Sequence, residues 1–242
     1  MIKTCFVFFI TGLTVVIFIP LGVLAFFVSL FGLKKAMSFF IYKIAQVWAL
    51  SLIKLTNCNI SILGKENIPH TGGVCFISNH SSIFDIILAL AYIGRPFGFI
   101  AKKELSYIPL FNMWIYILGG LFIDRKNPRK ALKTINSGIR RLKAGGGMLV
   151  FPEGHRSQGE ELLPFHSGSF KLATQSGVPI IPVSISGSYD VFEKHHRVLS
   201  ADVQIAFGKP IDTGSMAPEN RKQILSDKVR SLIEAGLRPV SQ

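Results

Sequence analysis

Apolar residues fill the first part of the chain, and residues 4–33 carry no charged side chain. A helix needs about 20 such residues to cross a bilayer, so this run is long enough. Pro20 and Gly22 interrupt the run, and a proline inside a helix removes a backbone hydrogen bond and clashes with the preceding turn. The pattern predicts either one kinked spanning helix or a helix pair, formed with the next segment, that dips into one leaflet.

The next segment, residues 37–55, mixes apolar residues with Lys43 and Lys54. This mixture is typical of an interfacial amphipathic helix whose lysines reach the headgroups. A cleaved signal peptide fits less well, because its apolar core is only roughly 7–15 residues long and is followed by a small-residue cleavage site. Basic residues after the run favour a cytoplasmic main domain. We predict a membrane anchor over residues 1–58 and a second domain over residues 59–242.

Beyond the anchor, short apolar runs alternate with amphipathic stretches. The runs predict strands at residues 60–63, 74–78, 97–101, 121–123, 148–151, 180–186 and 203–207. Their apolar residues are continuous, which is typical of strands buried on both faces. Helical spacing is clearest at 128–143, where Asn127 can cap the helix and Pro128 suits its first position, and again at 218–236. The alternation predicts an α/β fold, a layered domain with a central, mostly parallel sheet flanked by helices.

Composition narrows the choice of partners. Charged residues make up 17% of the chain, against roughly 25% in average soluble domains, and the net charge is +13. Positive charge suits nucleic acid, anionic membranes or phosphorylated substrates. Because the basic residues follow a long apolar lead, we expect membrane lipids and no nucleic acid. Cys5, Cys58 and Cys75 lack metal or disulfide spacing, and we interpret them as buried apolar side chains in a reducing compartment.

One polar segment, residues 79–85, follows the predicted strand at 74–78 and opens an apolar helix. Residues five apart lie about 140° apart on a helix, so His80 and Asp85 cannot share a helix face. Across a strand-to-helix turn they can meet, with Asp85 holding one ring nitrogen and leaving the other free as a base. The alternative is a capping box in which Ser82 and Asp85 only start the helix. The motif alone leaves both interpretations open.

A second polar segment, residues 151–157, reads F-P-E-G-H-R-S and also follows an apolar strand. The carboxyl ends of such strands are where α/β sheets bind ligands. Arg156 offers a planar fork that suits phosphate, and Glu153 can position a neighbour or a substrate hydroxyl. The alternative is a polar turn with a solvated pair of these two residues. Lys102 and Arg125 supply further cations near predicted strand ends.

Four segments in this order resemble the glycerolipid acyltransferase family, most closely the 1-acyl-sn-glycerol-3-phosphate acyltransferases. That family shows an N-H-x-x-x-x-D box, a G-x-x-F-I-D-R-type box, an F-P-E-G-T-R-S box and a proline-containing apolar strand. They match residues 79–85, 120–125, 151–157 and 178–183 here. The resemblance covers about residues 70–190. His155 stands where the family usually has threonine, which bears on substrate or donor preference.

The resemblance implies direct acyl transfer with His80 and Asp85 as the catalytic residues. His80 takes the proton of the acceptor hydroxyl, which attacks a thioester, while Asp85 orients the imidazole. The implied substrate-binding residues are Glu153, Gly154, Arg156, Lys102 and Arg125. Arg156 is the first choice for the acceptor phosphate. The resemblance implies no metal and no cofactor, with acyl-CoA or acyl-carrier protein as the co-substrate.

The implied reaction moves a fatty acyl group to the sn-2 hydroxyl of 1-acyl-sn-glycerol-3-phosphate and gives phosphatidic acid. The expected partners are a lysophospholipid acceptor, the thioester donor and membrane lipids, at the cytoplasmic face of the inner or plasma membrane. Another lysolipid, glycerol-3-phosphate, or a non-catalytic membrane-binding scaffold remain alternatives. A lipid hydrolase is disfavoured, because the G-x-S-x-G nucleophile elbow is absent from the sequence.

Overall fold

Helices form the N-terminal part of the computed structural model, which describes residues 1–30, 34–159, 161–214 and 221–237. They are α1 (Ile2–Ile17), α2 (Ile19–Leu30) and α3 (Lys34–Thr56). The break between α1 and α2 falls at Phe18, two residues before Pro20. The apolar run is therefore interrupted beside the proline, as the sequence predicts. The stretches Ile2–Leu24 and Met37–Thr56 are long and apolar enough to cross a membrane.

Seven strands of the described chain form one sheet, in the order β1-β7-β6-β2-β5-β3-β4. Neighbours pair in parallel except β6 and β7, which are antiparallel. The strands are β1 (Asn59–Leu63), β2 (Val74–Ser78), β3 (Phe97–Lys102), β4 (Leu121–Ile123), β5 (Gly147–Val150), β6 (Ile180–Ser186) and β7 (Asp202–Phe207). This architecture confirms the predicted mostly parallel sheet, and each strand boundary lies within one residue of its prediction.

Helices cover both faces of the sheet. They are α4 (Phe84–Tyr92), α5 (Phe111–Ile117), α6 (Pro128–Lys143), α7 (Lys171–Ser176), α8 (Ser188–Val191) and α9 (Arg221–Gly236). Short 3-10 helices lie at Lys65–Asn67, Lys103–Tyr107 and Ser167–Phe170. The side chain of Asn127 caps α6 by accepting from the Lys130 N–H at 3.1 Å, as predicted. The predicted helix at 218–236 is confirmed from Arg221 onward, and Pro218 lies outside the described residues.

Each face of the sheet has its own hydrophobic core. In β2, Phe76 packs in the core under α3 and α4, whereas its neighbour Ile77 packs in the core under α6, α7 and α9. Every residue of β2 and β5 is buried. Continuous apolar strands therefore arise because each residue, facing up or down, meets a layer of helices.

The helix α3 belongs partly to the α/β domain. Tyr42, Ala49 and Ile53 are buried in the core shared with α4 and the sheet, and the Tyr42 hydroxyl donates to the Leu90 carbonyl at 3.2 Å. This face of α3 is therefore part of the core. The interfacial helix stays a prediction for the rest of α3, where Phe39, Phe40, Val47 and Leu50 are exposed. The boundary between residues 1–58 and 59–242 stays a prediction, because α3 packs against both α2 and α4.

The three cysteines differ in exposure. Cys75 is fully buried, and burial raises the pKa of its thiol to about 12. Cys58 is half-buried, and Cys5 is exposed on α1. The interpretation of all three as buried side chains holds for Cys75 and is wrong for Cys5.

Candidate active site

The side chains of His80 and Asp85 meet across the turn between β2 and α4. The His80 Nδ1 lies 2.8 Å from the Asp85 Oδ2. Asp85 is completely buried, while the His80 side chain is 14% exposed. Because the carboxylate can only accept a hydrogen bond, the ring hydrogen lies on Nδ1, and Nε2 is the nitrogen with a free lone pair. The turn therefore produces the arrangement that a general base requires.

The Asp85 carboxylate has four hydrogen-bond donors. Besides His80, its Oδ2 accepts from the backbone N–H groups of Ser81 at 2.8 Å and Ser82 at 2.9 Å. Its Oδ1 accepts from the Ser188 hydroxyl at 2.5 Å. A buried carboxylate needs such partners. The predicted capping box is half present: the Ser82 N–H donates to Asp85, but the Ser82 hydroxyl accepts from the Phe84 N–H and not from the Asp85 N–H. The contact to His80 uses the same Asp85 oxygen.

The residue before His80 ties the turn to the sheet. The Asn79 Oδ1 accepts from the Ile185 N–H at 2.8 Å, and its Nδ2 donates to the Ile185 carbonyl at 2.7 Å. On the other side, the Phe151 ring stacks on the imidazole, with centroids 3.9 Å apart and planes 17° apart. These contacts restrict both the backbone and the ring of His80. The sequence analysis gave neither Asn79 nor Phe151 a role.

Glu153 supports the backbone of His80. Its Oε1 accepts from the His80 N–H at 2.6 Å, and its Oε2 accepts from the Leu163 N–H at 3.0 Å. Only 1% of Glu153 is exposed, and burial raises the pKa of its carboxyl, against the opposing effect of these hydrogen bonds. The Ser157 N–H donates to the His80 carbonyl at 2.8 Å. Both Glu153 oxygens therefore face the chain itself, and its predicted contact with substrate stays a prediction.

The guanidinium of Arg156 pairs with a residue that the sequence did not indicate. Its Nη1 lies 3.0 Å from the Oε1 of Glu193, and 39% of the Arg156 side chain is exposed. The pair of Arg156 with Glu153, considered as an alternative from the sequence, is therefore replaced by a pair with Glu193. Ser188 and Glu193 lie more than 100 residues after the His80 turn, and no local signal marks either of them.

Arg125 contacts the loop that carries Arg156. Its Nη1 donates to the carbonyl of Gly154. Gly154 has a positive φ of +79°, and a Cβ atom there would lie 3.3 Å from both the Arg125 Nη1 and the His166 ring. Only glycine adopts this backbone readily. The glycine thus lets Arg125 and His166 approach the loop.

A cavity of about 1040 Å³ opens beside these residues. Its apolar walls include Val15, Trp48, Leu90, Trp114 and Leu132, each from a different helix. Its polar lining includes His80, Lys102, Arg125, Gly154, His155, Arg156, His166 and Lys171. Four parallel strands, β2 to β5, place most of these groups at one edge of the sheet, where α/β proteins bind ligands.

The cavity separates the predicted site residues into two sets. His80, Lys102, Arg125, Gly154 and Arg156 line it, whereas Asp85 and Glu153 lie behind it, against His80. His166 and Lys171 also line it without having been predicted. The described residues contain no group of three or more His, Cys, Asp or Glu side chains suited to a metal ion. His195 and His196 are exposed.

Comparison with known proteins places this chain in a family. Residues 59–186 match the family model described as Acyltransferase. The 1-acyl-sn-glycerol-3-phosphate acyltransferase of Escherichia coli is 34% identical over 164 residues, which cover 67% of this chain and 66% of that protein. The protein of the same description, BAT2, from Brassica napus is 30% identical over 201 residues, covering 82% of this chain and 56% of that protein. The matched part of the chain thus spans just over half of the length of the Brassica napus protein and about two thirds of the length of the Escherichia coli protein.

The fold comparison covers nearly the whole chain. The crystal structure of the 1-acyl-sn-glycerophosphate (LPA) acyltransferase PlsC from Thermotoga maritima aligns with a TM-score of 0.80 and 27% sequence identity. The alignment covers 97% of this chain and 93% of that one. Sequence, fold and the His80–Asp85 geometry agree, and the chain belongs to the acyltransferase family.

Proposed function

We propose that this protein transfers a fatty acyl group from a thioester to the sn-2 hydroxyl of 1-acyl-sn-glycerol-3-phosphate, which gives phosphatidic acid. The observation that carries the proposal is the oriented His80–Asp85 pair beside a large apolar cavity with cations in its lining. The apolar walls suit acyl chains, and the cations suit a phosphate. The names of the related proteins from Escherichia coli and Brassica napus support this acceptor.

His80 acts as the general base in the proposed reaction. Its Nε2 takes the proton of the acceptor hydroxyl, the hydroxyl oxygen attacks the thioester carbonyl carbon, and the carbon–sulfur bond breaks. The proton on His80 then passes to the departing thiolate. Asp85 keeps the ring oriented and stabilises its cationic form, the role that the aspartate has in a Ser-His-Asp triad.

The neighbouring serines are not nucleophiles in this mechanism. The Ser81 hydroxyl is buried 2.9 Å from the Ser188 hydroxyl. The Ser82 hydroxyl is buried, donates to the Glu193 carboxylate at 2.7 Å and accepts from the Phe84 N–H at 2.9 Å. Since both hydroxyls are engaged away from the imidazole, transfer proceeds directly between the two substrates.

The acceptor phosphate is bound by Arg156, with Lys102 and Arg125 nearby in the cavity lining. Arginine binds a phosphate through two parallel hydrogen bonds, and lysine contributes as a point charge. Gly154 and Glu153 shape the loop from which Arg156 extends. The donor is acyl-CoA or acyl-carrier protein, and the reaction needs no cofactor beyond this co-substrate.

The proposed membrane-facing surface combines α1 and α2 with α5 and the turn before it. Large apolar side chains are exposed on both parts, including Phe6, Phe9, Leu24, Tyr107, Ile108, Phe111 and Tyr116. Tyrosines of this kind are enriched at membrane interfaces. These residues support membrane binding, and the membrane face that we propose is the cytoplasmic face of the inner or plasma membrane.

Contacts along α1 favour insertion into one leaflet. Near its start, Lys3 donates to the Thr56 carbonyl at 2.7 Å. Near its end, Thr14 accepts from the Trp48 indole at 2.9 Å. Because α1 packs beside α3 over most of its length, and α3 packs on the α/β domain, α1 lies along the domain. A spanning helix would instead lead away from it.

An acyl-transfer assay tests the function. The full-length protein in mixed micelles would receive lysophosphatidate, other lysophospholipids or glycerol-3-phosphate, each with acyl-CoA and with acyl-carrier protein. We expect phosphatidic acid as the main product, detected by mass spectrometry. Preference for another acceptor would replace the proposed substrate. No transfer to any acceptor would favour the non-catalytic scaffold.

A further inference from the structure

The connection between β6 and β7, residues 187–201, brings a carboxylate to the active site. Glu193 lies in this connection, and its side chain is only 12% exposed. Its Oε1 accepts from the Ile83 N–H at 2.8 Å and from the Arg156 Nη1 at 3.0 Å. Its Oε2 accepts from the Ser82 hydroxyl at 2.7 Å. One carboxylate thus joins the His80 turn to the loop that carries Arg156.

We infer that Glu193 is a positioning residue, which holds the Arg156 guanidinium at a fixed place relative to His80 so that it meets the acceptor phosphate. The inference rests on the proposed function, because it uses Arg156 as the phosphate ligand. Glu193 touches no reacting atom in this assignment. It acts through Arg156.

The hydrogen bonds of Glu193 show that Arg156 depends on Glu193 for its position, and not the reverse. Two of the three donors to Glu193 belong to Ser82 and Ile83, so the catalytic turn fixes the carboxylate independently of Arg156. Arg156 is more exposed, and Glu193 is the one ion-pair partner of its guanidinium within the described part of the chain. The arginine therefore takes its position from the glutamate.

The remaining nitrogens of Arg156 have no hydrogen-bond partner among the residues that the structure describes. The ion pair occupies Nη1, which leaves Nε and Nη2 for the parallel hydrogen bonds that arginine makes to phosphate. Arginine has many rotamers, and a side chain that is ordered before binding loses less entropy when the ligand arrives. Pre-ordering by Glu193 therefore lowers the concentration of acceptor needed for binding.

The backbone around Glu193 is itself anchored on both sides. Ser188 donates to Asp85 at 2.5 Å, and the Phe192 ring packs edge-on against Phe8 of α1 at a centroid distance of 5.1 Å. Farther on, the Val198 N–H donates to the Thr4 hydroxyl at 2.9 Å. The connection is thus attached to the catalytic aspartate and to α1, and it presents Glu193 from a fixed frame.

Glu193 could also act against acceptor binding, and the two roles predict changes of the acceptor dissociation constant in opposite directions. A carboxylate beside a phosphate site repels the phosphate and competes with it for the arginine. If Glu193 were mainly a competitor, removing its charge would strengthen acceptor binding. If it positions Arg156, removing it weakens acceptor binding.

A double-mutant cycle tests the inference. The dissociation constant of lysophosphatidate would be measured by calorimetry in micelles, without donor, for wild type, Glu193→Ala, Arg156→Ala and the double variant. Acceptor and donor KM would be measured beside it. We expect Glu193→Ala to weaken lysophosphatidate binding about 10-fold, with the donor KM unchanged. We expect no further loss when Glu193→Ala is added to Arg156→Ala, because coupled residues are not additive.

Two further variants complete the design. Glu193→Gln keeps a hydrogen-bond acceptor and loses the charge, so we expect an intermediate loss. Lys194→Ala breaks the neighbouring surface ion pair with Asp190, which spans 2.7 Å in the same connection, and should leave lysophosphatidate binding unchanged. Thermal unfolding of each variant reports general damage to the fold.

Each result points to one conclusion. Tighter binding in Glu193→Gln, or equal losses from Glu193→Ala with and without Arg156, would overturn the positioning role. Unchanged binding in Arg156→Ala would instead remove the phosphate assignment on which the proposed function relies. The two failures are therefore distinguishable.

Discussion

The turn around His80 and the cations that line the cavity are built differently. In the turn, Asp85 has four donors, and the His80 backbone is held at both its N–H and its carbonyl. Among the cations, Lys102 is exposed, and 39% of the Arg156 side chain is exposed. A group that moves a proton works best when it is fixed in advance. A group that binds a charged substrate must stay accessible. We therefore expect substitutions in the turn to lower kcat, and substitutions of the cations to raise the acceptor KM.

Removing the base should give the largest effect. We expect His80→Ala to lower kcat by roughly 10²–10⁴-fold, since general-base catalysis contributes about that much. The thermal unfolding midpoint should stay near that of wild type, because the turn is held by the His80 backbone and the Asp85 carboxylate, which this substitution leaves in place. Steady-state kinetics and calorimetry measure both. Near-normal turnover would contradict the mechanism.

Two substitutions of Asp85 separate its two tasks. Asparagine keeps one oxygen for the three donors at Oδ2, and its NH₂ group can donate to Ser188, so Asp85→Asn should cost at most about 1 kcal/mol of stability. It removes the charge that stabilises the imidazolium, so kcat should fall roughly 10²–10⁴-fold.

Asp85→Ala is the comparison variant. Besides lowering activity, it leaves buried N–H groups without an acceptor, which should lower the free energy of unfolding by about 1–3 kcal/mol. Chemical denaturation measures the difference between the two variants. Equal activity of Asp85→Asn and wild type would mean that the residue only caps the helix.

Substitution of Arg156 should act on binding and spare the chemistry. Hydrogen bonds to charged groups contribute about 1.5–3 kcal/mol, so Arg156→Ala should raise the acceptor KM roughly 10–100-fold. Arg156→Lys keeps the charge without the fork and should give a smaller rise. Initial rates with each substrate varied in turn decide this. Equal damage to donor and acceptor use would indicate that Arg156 only supports its loop.

The smallest expected effect concerns Glu153 and pH. Glutamine has one oxygen for the two N–H groups of His80 and Leu163, so Glu153→Gln should lower stability by about 1–3 kcal/mol. Because burial raises the pKa of Glu153 in the fold above its usual 4.5, its stabilising contribution is full below that value and declines as pH rises through the raised pKa.

The unfolding midpoints of wild type and Glu153→Gln, compared from acid to neutral pH, measure that decline. The advantage of the wild-type protein should shrink as pH rises. If the advantage grows as pH rises, the hydrogen bonds to His80 and Leu163 lower the pKa of Glu153 more than burial raises it.

Sequence reasoning succeeded where the determining interactions are local. The helix 128–143 was predicted because its cap and its apolar spacing lie within its own residues. The buried strands were predicted because continuous apolar runs need no knowledge of partners. The contact between His80 and Asp85 was one of two interpretations that their spacing left open, and the resemblance to the glycerolipid acyltransferases selected it.

The rest depends on tertiary contacts that no short pattern encodes. Glu193 reaches Ile83 from 110 residues away, and Ser188 reaches Asp85 from 103 residues away. A glutamate in a loop has the same sequence appearance whether it is solvated or holds an arginine. The pattern of α3 likewise did not show that one of its faces packs in the core against α4, because the residues of α4 lie about 50 positions farther along the chain.

The shared oxygen of Asp85 has a consequence for how related chains diverge. Since this carboxylate holds the turn before α4, through the Ser81 and Ser82 N–H groups, as well as contacting His80, a descendant that abandoned catalysis would still be selected to keep the aspartate for folding. The histidine, whose loss we expect to change stability little, would be free to drift. Among such descendants the aspartate alone is no sign of activity, and the histidine is the residue whose presence distinguishes an enzyme from an inactive copy.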